Sequence, residues 1–161
     1  MSSVVEPLVV IGVGNLTRGD DAIGRLAARA LAARRLPEIC IIETAGEATL
    51  LLDAFTGATS AIVIDACKSG APVGTIHRFD ATQAPIPADI GSVSSHGFGL
   101  AAALELARAF EQLPRRCIVF AMDVENFTHG VPLTTQVAMR FNELVASIER
   151  EIEQMRAAQD S

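Results

Sequence analysis

Residues 8–35 combine three features that strongly limit the fold: an apolar run, a glycine-rich turn and an amphipathic run. Residues 8–13 (Leu-Val-Val-Ile-Gly-Val) are apolar throughout, which is typical of a strand buried on both faces. Residues 12–24 have the sequence Gly-Val-Gly-Asn-Leu-Thr-Arg-Gly-Asp-Asp-Ala-Ile-Gly, and apolar residues then recur at helical spacing. This order predicts a strand, a tight turn and a helix, as at the start of an α/β fold.

The same alternation of strand and helix patterns continues along the chain. Strands are predicted at residues 38–43 and 61–65, with a short helix at 47–55 between them. The resulting βαβαβ order predicts a parallel sheet with helices on both faces. The link at residues 67–72 is too short for a helical crossover, which takes about a dozen residues. The fourth strand, at residues 73–79, is therefore predicted to be antiparallel.

The second half of the chain contains two predicted helices, one predicted strand and two irregular stretches. The helices are predicted at residues 97–110 and 134–157, and the fifth strand at 116–122. Residues 80–95 and 123–132 show no periodicity. A loop as long as the first of these is uncommon in a compact domain unless it binds a ligand or moves. We therefore expect residues 80–95 and 123–130 to line a groove for the substrate.

The composition predicts a single globular domain that spans residues 1–161. Half of the residues are hydrophobic, yet no apolar run reaches the roughly 18 residues that a membrane span needs. The net charge of -6 argues against a nucleic-acid-binding surface, which needs a basic patch. No secretory signal pattern is visible, and three cysteines without framework spacing fit a reducing compartment. We expect a cytoplasmic protein that binds neither nucleic acid nor membranes.

Two carboxylates are predicted at the edge of the sheet where α/β proteins bind ligands. That edge lies at the carboxyl ends of the parallel strands, where Asp21 follows the first strand and Asp65 ends the third. An unpaired carboxylate in a buried position is costly, so Asp65 needs a hydrogen-bond donor, a cation or a metal. Asp20 is predicted to cap the first helix, because helix N-termini favour carboxylates. Each carboxylate also has a structural alternative to a role in the site. For Asp21 it is capping of the helix, and for Asp65 it is a turn in which the carboxylate accepts hydrogen bonds from the backbone.

The histidines differ in their value as site residues. His96 comes directly before a predicted helix, whose positive end disfavours imidazolium, and a neutral imidazole can bind a metal. Together with the two carboxylates it would suit a divalent ion that keeps open coordination positions. A purely structural His96 is the alternative. His77 is predicted to be an outward-facing strand residue, while His129 and Asn15 lie in loops at the same edge and are weaker candidates.

The glycine-rich turn does not match the sequence signatures of nucleotide-binding proteins. The dinucleotide fingerprint requires a third glycine at the position that Thr17 occupies, and the lysine of the Walker motif is absent. We therefore expect no nucleotide cofactor.

Three motifs together resemble those of hydrogenase maturation endopeptidases. They are residues 12–24, residues 63–66 (Val-Ile-Asp-Ala) and residues 95–100 (Ser-His-Gly-Phe-Gly-Leu), and the resemblance in order and spacing covers nearly the whole chain. It implies a three-layer α/β/α sandwich of the phosphorylase/hydrolase-like type. The middle layer of such a sandwich is a five-stranded mixed sheet in the order 2-1-3-5-4, with the fourth strand antiparallel.

The resemblance also implies a function and a partner. Enzymes of this family remove a short C-terminal extension from the large-subunit precursor of a nickel–iron hydrogenase after nickel has been inserted. The metal-contacting positions of the family fall on Asp21, Asp65 and His96, with the nickel supplied by the precursor. The two carboxylates are then the candidate catalytic groups. Asn15, Asp20 and His129 are predicted to contact the substrate, and the protein is expected to be a monomer.

Other functions fit parts of the same sequence. A cysteine hydrolase would use Cys67 as nucleophile and His96 as base, although no helix start adjoins Cys67 to lower its pKa. A peptidyl-tRNA hydrolase shares the Gly-x-Gly-Asn turn, but the acidic net charge argues against it. A non-catalytic nickel-binding maturation factor would bind the metal and the precursor without cleaving it.

Overall fold

The computed structural model describes residues 7–88, 90 and 99–160. Within these residues the strands are β1 Leu8–Val13, β2 Ile39–Thr44, β3 Ser60–Cys67, β4 Ile76–Asp80 and β5 Arg116–Asp123. The α-helices are α1 Ile23–Ala33, α2 Ala48–Phe55, α3 Leu100–Ala109 and α4 Thr135–Gln159, and a short 3-10 helix, Gly19–Ala22, precedes α1. Among the described helices, none is both long and apolar enough to cross a membrane.

The strands form one mixed sheet in the order β2-β1-β3-β5-β4. β1 pairs in parallel with β2 and β3, and β3 pairs in parallel with β5. β4 is antiparallel to β5 and lies at the edge of the sheet. The predicted strand order and the antiparallel fourth strand are thus confirmed, because the link between β3 and β4 leaves no room for a crossover helix.

Helices cover both faces of the sheet. Alternate residues of the central strands point to opposite faces, which builds two separate hydrophobic cores. One core lies under α1 and α4, and the other lies under α2 and α3. This arrangement confirms the predicted three-layer α/β/α sandwich, and it explains why β1 and β3 are buried along their whole length.

Two details of the local prediction are wrong. The apolar pattern of residues 47–55 predicts that Leu50, Leu51 and Ala54 face inward, yet Leu50 is 47% exposed. The reason is that α2 packs on the sheet through Leu51 and Phe55, one turn apart on another face of the helix. The fourth strand begins at Ile76 and not at residue 73. The preceding residues form a turn in which the N–H of Gly74 donates to the carbonyl oxygen of Asp123 at 2.8 Å.

The first turn of α1 packs directly against the backbone of the sheet, because glycine occupies the point of contact. A Cβ atom added to Gly24 would lie 2.3 Å from the carbonyl oxygen of Val13 and 2.4 Å from that of Ile64. A Cβ atom on Gly12 would lie 2.4 Å from the carbonyl oxygen of Gly24. This close approach holds the 3-10 helix at the carboxyl ends of β1 and β3, where the site residues lie.

Replacing Gly24 with alanine is expected to destabilise the protein by about 2 kcal/mol or more, since backbone carbonyls cannot move away as flexible side chains can. This expected loss of stability is opposite to the effect of helix propensity, which favours alanine over glycine by about 1 kcal/mol. Ala30→Gly in the same helix is the control and should show the ordinary propensity loss together with a small loss of packing, since Ala30 is partly buried against the core. Urea unfolding measures both, and a Gly24→Ala protein as stable as the wild type would contradict the packing argument.

Candidate active site

Asp21 and Asp65 meet at the carboxyl ends of the parallel strands, as predicted. Asp65 lies in β3, and Asp21 lies in the 3-10 helix that follows β1. Both side chains are nearly inaccessible to solvent, with residue exposures of 7% for Asp21 and 6% for Asp65. The two carboxylates are close enough for the charge of Asp21 to help raise the pKa of Asp65.

Asp65 is held in an environment that disfavours its ionised form. Burial raises its pKa well above the ordinary value, and the negative charge of Asp21 raises it further. A hydrogen bond from the N–H of Ala66 to Oδ1, at 2.8 Å, opposes this effect without cancelling it. A cation bound beside Asp65 would relieve this cost of burying the charge.

Asp21 has a similar but less extreme environment. Burial raises its pKa, while the positive charge of Arg18 and a hydrogen bond from the N–H of Asn15 lower it. That hydrogen bond joins the backbone nitrogen of Asn15 to Oδ2 of Asp21 at 3.2 Å. The turn also passes very close to the backbone of Asp21. A Cβ atom added to Gly14 would lie 2.0 Å from the backbone carbonyl oxygen of Asp21. The glycine-rich turn therefore shapes this half of the site.

Arg18 borders Asp21, and Arg18 and Lys68 both lie over the ring of Phe127. Nη1 of Arg18 lies 4.0 Å from Oδ2 of Asp21, is buried, and has no hydrogen-bond partner among the described residues. The guanidinium carbon of Arg18 lies 5.8 Å from the centre of the Phe127 ring, and Nζ of Lys68 lies 4.9 Å from it. The sequence contained one indication of the Arg18–Asp21 ion pair: the two residues are three positions apart at the start of a helix.

The predicted substrate contacts Asn15 and His129 lie on one rim of the site, together with Thr17. Oδ1 of Asn15 accepts hydrogen bonds from the backbone nitrogen and the hydroxyl of Thr17, at 2.9 and 2.7 Å. His129 is exposed, and its Nδ1 lies 3.5 Å from the same hydroxyl. Asn15 thus shapes the turn with its side chain, and contact of either residue with a substrate stays a prediction.

Asp20 does not cap α1, so that prediction is wrong. The N-cap residue of α1 is Ala22, and Asp20 is fully buried beneath the loop that leads to α4. Its carboxylate accepts hydrogen bonds from the backbone nitrogens of Glu125 (3.0 Å), Asn126 (3.0 Å) and Thr134 (2.6 Å), and from the Thr134 hydroxyl (2.6 Å). Because both oxygens are used inside the protein, we assign Asp20 a positioning role in place of the predicted substrate contact.

The hydrogen bonds of Asp20 also determine the direction of its pKa shift. Burial alone would raise the pKa, but the donors on Thr134, Asn126 and Glu125 together lower it below its ordinary value. The 3-10 helix that carries Asp21 is therefore anchored to the loop after β5 through an ionised carboxylate.

His96, the third predicted metal ligand, lies outside the described residues. The predicted set of Asp21, Asp65 and His96 therefore stays a prediction, of which the carboxylate pair is the described part. Ile90 forms an antiparallel bridge with Cys67, two residues from Asp65, and α3 begins at Leu100. The chain on both sides of residues 91–98 is thus anchored to this domain.

A second cluster of polar side chains lies on the same face of the sheet as Asp65. Nε2 of His77 is 2.5 Å from Oδ2 of Asp123, and the hydroxyl of Ser69 donates to both carboxylate oxygens at 2.9 and 2.8 Å. The interpretation of His77 as an outward-facing strand residue is therefore wrong. Its partners lie on other strands and links, so the strand pattern around His77 did not predict them.

Comparisons with known proteins agree with this architecture. The chain resembles the hydrogenase maturating endopeptidase HybD from E. coli, with a TM-score of 0.76, 22% identity, and coverage of 92% of this chain and 93% of that chain. It also resembles the [NiFe] hydrogenase maturation protease HybD from Thermococcus kodakarensis, with a TM-score of 0.71, 22% identity, and coverage of 89% and 97%. At such identities the likeness establishes the fold alone. No curated protein sequence matches significantly.

The family assignment rests on a match over most of the sequence. The profile of the HycI family, described as hydrogenase maturation protease, matches residues 25–151. The matched region contains Asp65 and the strands β2, β3, β4 and β5, while Asp21 lies just before it. The chain belongs to the hydrogenase maturation protease family, a family of peptidases.

Proposed function

We propose that this protein is an endopeptidase that removes a C-terminal extension from the large-subunit precursor of a nickel–iron hydrogenase after nickel insertion. The observation that carries this proposal is the pair of buried carboxylates, Asp21 and Asp65, whose pKa values are both raised by burial. Membership of the maturation protease family supports the reaction class. Carboxyl groups with raised pKa values are suited to proton transfer near neutral pH.

The nickel of the precursor is proposed to be part of what the enzyme recognises. Two carboxylates buried side by side repel each other, so a divalent ion that arrives with the substrate would stabilise their ionised forms. Carboxylate oxygens and a neutral imidazole are ligands that nickel accepts, so Asp21, Asp65 and His96 form a suitable set. Under this proposal a precursor without nickel would bind poorly, and the enzyme would cleave only after metal insertion.

The same carboxylates are proposed to activate the water that attacks the peptide bond. A carboxylate has two oxygens, so one oxygen can hold the ion while the other accepts a proton from water. Burial raises the pKa of Asp65 well above its ordinary value in the free protein, and an ion bound beside it would favour the ionised form that can accept the proton. Such general-base assistance contributes about 10²–10⁴ in rate.

The rim of the site supplies groups that suit a peptide. Arg18 and Lys68 offer positive charge next to the Phe127 ring, and Asn15 and His129 both contact the hydroxyl of Thr17. We propose that these groups hold the polypeptide on either side of the scissile bond, with hydrogen bonds to its carbonyl oxygens.

The test is incubation of the purified protein with precursor in nickel-loaded and nickel-free forms, followed by mass spectrometry of the precursor C-terminus. We expect cleavage of the loaded form alone. Free nickel should restore cleavage of the nickel-free form only to the extent that it loads the precursor. Efficient cleavage of nickel-free precursor would contradict the recognition step. Binding of loaded precursor without cleavage would instead indicate a non-catalytic nickel-binding maturation factor.

The cysteine-hydrolase alternative makes a different prediction for Cys67. A catalytic thiolate has to be reachable by substrate, whereas Cys67 is 0% exposed. We expect Cys67→Ala to keep cleavage of nickel-loaded precursor within about tenfold of wild type, since a nucleophile would cost far more. The initial rate of the same cleavage assay measures this, with circular dichroism to verify folding. Complete loss of activity in a folded variant would restore the cysteine mechanism.

A further inference from the structure

We propose that Cys67, His77 and Asp123 form a second metal site, which binds a divalent transition-metal ion of the zinc class. Sγ of Cys67, a ring nitrogen of His77 and a carboxylate oxygen of Asp123 all lie within 4.8 Å of one another. This site is independent of the proposed function, because it shares no ligand with the Asp21 and Asp65 pair.

Three neighbouring strands each contribute one ligand on the same face of the sheet. Cys67 and Asp123 are the last residues of β3 and β5 and are register partners in the parallel pair. His77 lies on β4, opposite Ala121 of β5 in the antiparallel pair. The ligands are thus held by backbone hydrogen bonds of the sheet, a rigid frame of the kind that metal sites require.

The chemistry of the three side chains fits zinc. Thiolate, imidazole and carboxylate are its ordinary protein ligands, and a mixed sulfur, nitrogen and oxygen set disfavours magnesium and calcium. The three protein ligands leave a fourth position for water. Cys67 and Asp123 are 0% and 2% exposed, while the His77 side chain is 24% exposed at the edge strand and gives an ion access from solvent.

Ion binding requires His77 and Asp123 to separate slightly, and it requires Sγ of Cys67 to lie about 3.6 Å from each of them, against an upper limit of 4.8 Å in the free protein. Two ligand atoms at about 2.0 Å from a tetrahedral ion are about 3.3 Å apart. Nε2 of His77 and Oδ2 of Asp123 are 2.5 Å apart, so they would separate by about 0.8 Å. Ser69 orients the carboxylate from outside the cluster, because its backbone nitrogen donates to Oδ1 of Asp123 at 2.8 Å. Such outer hydrogen bonds are typical of metal ligands.

The proposed site is distinct from the candidate active site. Asp65 precedes Cys67 by two residues on β3, which places their Cα atoms about 6.6 Å apart along the strand. Among the described residues, Asp65 does not belong to the group of ligand atoms that lie within 4.8 Å of one another, so an ion held by Cys67, His77 and Asp123 would not be bound by Asp65 as well. The competing explanation is that His77, Asp123 and Ser69 form a hydrogen-bonded network that ties the link after β3 to β5. That network predicts no metal affinity involving a thiolate.

The test is titration of the reduced full-length protein with Co²⁺, a spectroscopic substitute for Zn²⁺, in the absence of chelators. A thiolate ligand produces a sulfur-to-metal charge-transfer band that oxygen and nitrogen ligands alone do not. We expect the band in the wild type and its displacement by Zn²⁺. Cys67→Ser should lose the band, and His77→Gln should weaken Co²⁺ binding at least about tenfold. Asp21→Asn, which alters the other site, should retain it.

Cys40→Ser is the matched control, because Cys40 is an exposed cysteine on β2 at the far side of the sheet. It should keep the band. Absence of the band in the reduced wild type would overturn the proposal without any variant, so failure of Cys67→Ser to fold cannot leave it undecided. A band that survives in Cys67→Ser but disappears in Cys40→Ser would overturn it equally.

Discussion

Replacing Asp65 with asparagine is expected to slow cleavage of nickel-loaded precursor at least about a hundredfold, while the fold stays intact. Asparagine has the same shape, and its oxygen can still accept the hydrogen bond that Ala66 donates. It carries no negative charge, however, so it binds a divalent ion weakly and cannot accept a proton from water. The measurement is the initial rate of precursor cleavage, followed by the mobility shift of the large subunit on a gel.

The same substitution should leave the protein at least as stable as the wild type at neutral pH. Burial raises the pKa of Asp65 well above its ordinary value, which means that the ionised carboxylate is costly in the folded state. If removal of this cost contributes about 1 kcal/mol, the melting temperature rises by about 2–4 °C. Loss of activity combined with unchanged or higher stability is typical of a functional residue and not of a core residue.

Asp53→Asn is the control for charge removal, because Asp53 is exposed and lies on α2, which carries none of the site residues. It should change neither the rate nor the melting temperature. An Asp65→Asn protein that folds normally and cleaves at the wild-type rate would refute the catalytic assignment of Asp65. A large loss of stability would indicate that Asp65 serves the fold.

Replacing Asp20 with alanine is expected to have the opposite effect on stability to Asp65→Asn. We expect the free energy of unfolding to fall by about 3–5 kcal/mol. The substitution removes the acceptor for the backbone nitrogens of Glu125, Asn126 and Thr134 and for the Thr134 hydroxyl. A buried donor that is left without a partner costs about 1–3 kcal/mol. The expected loss is a large part of the total stability of a typical domain, which is about 5–15 kcal/mol. Urea unfolding measures it.

The contribution of Asp20 should also depend on pH in a defined direction. Its folded-state pKa is lowered below the ordinary value of 3.8, so the unfolded chain takes up a proton first as the pH falls. The stabilisation is therefore fully present above that ordinary value and is lost as the pH falls through the lowered folded-state pKa. Asp20→Ala should lack this part of the acid destabilisation. Equal stability of Asp20→Ala and the exposed control Asp53→Ala at neutral pH would contradict the assigned role.

The sequence determined the sheet and the position of the carboxylate pair, because both follow from local rules. The continuous apolar runs of β1, β3 and β5 predict buried strands, and the short link before β4 leaves only an antiparallel direction. The carboxyl ends of parallel strands share one edge of a sheet. Asp21 and Asp65 follow or end such strands, so their convergence could be predicted without knowledge of any tertiary contact.

Only the tertiary structure decided which acidic and basic side chains pair with which partners. Asp20 has the local pattern of a helix cap, yet its hydrogen bonds reach residues 105 to 114 positions away along the chain. His77 and Asp123 are 46 residues apart and meet only because β4 pairs with β5. The physical reason is that periodicity and capping preferences describe near neighbours in the chain, whereas the partner of a buried charge is set by the packing of distant segments.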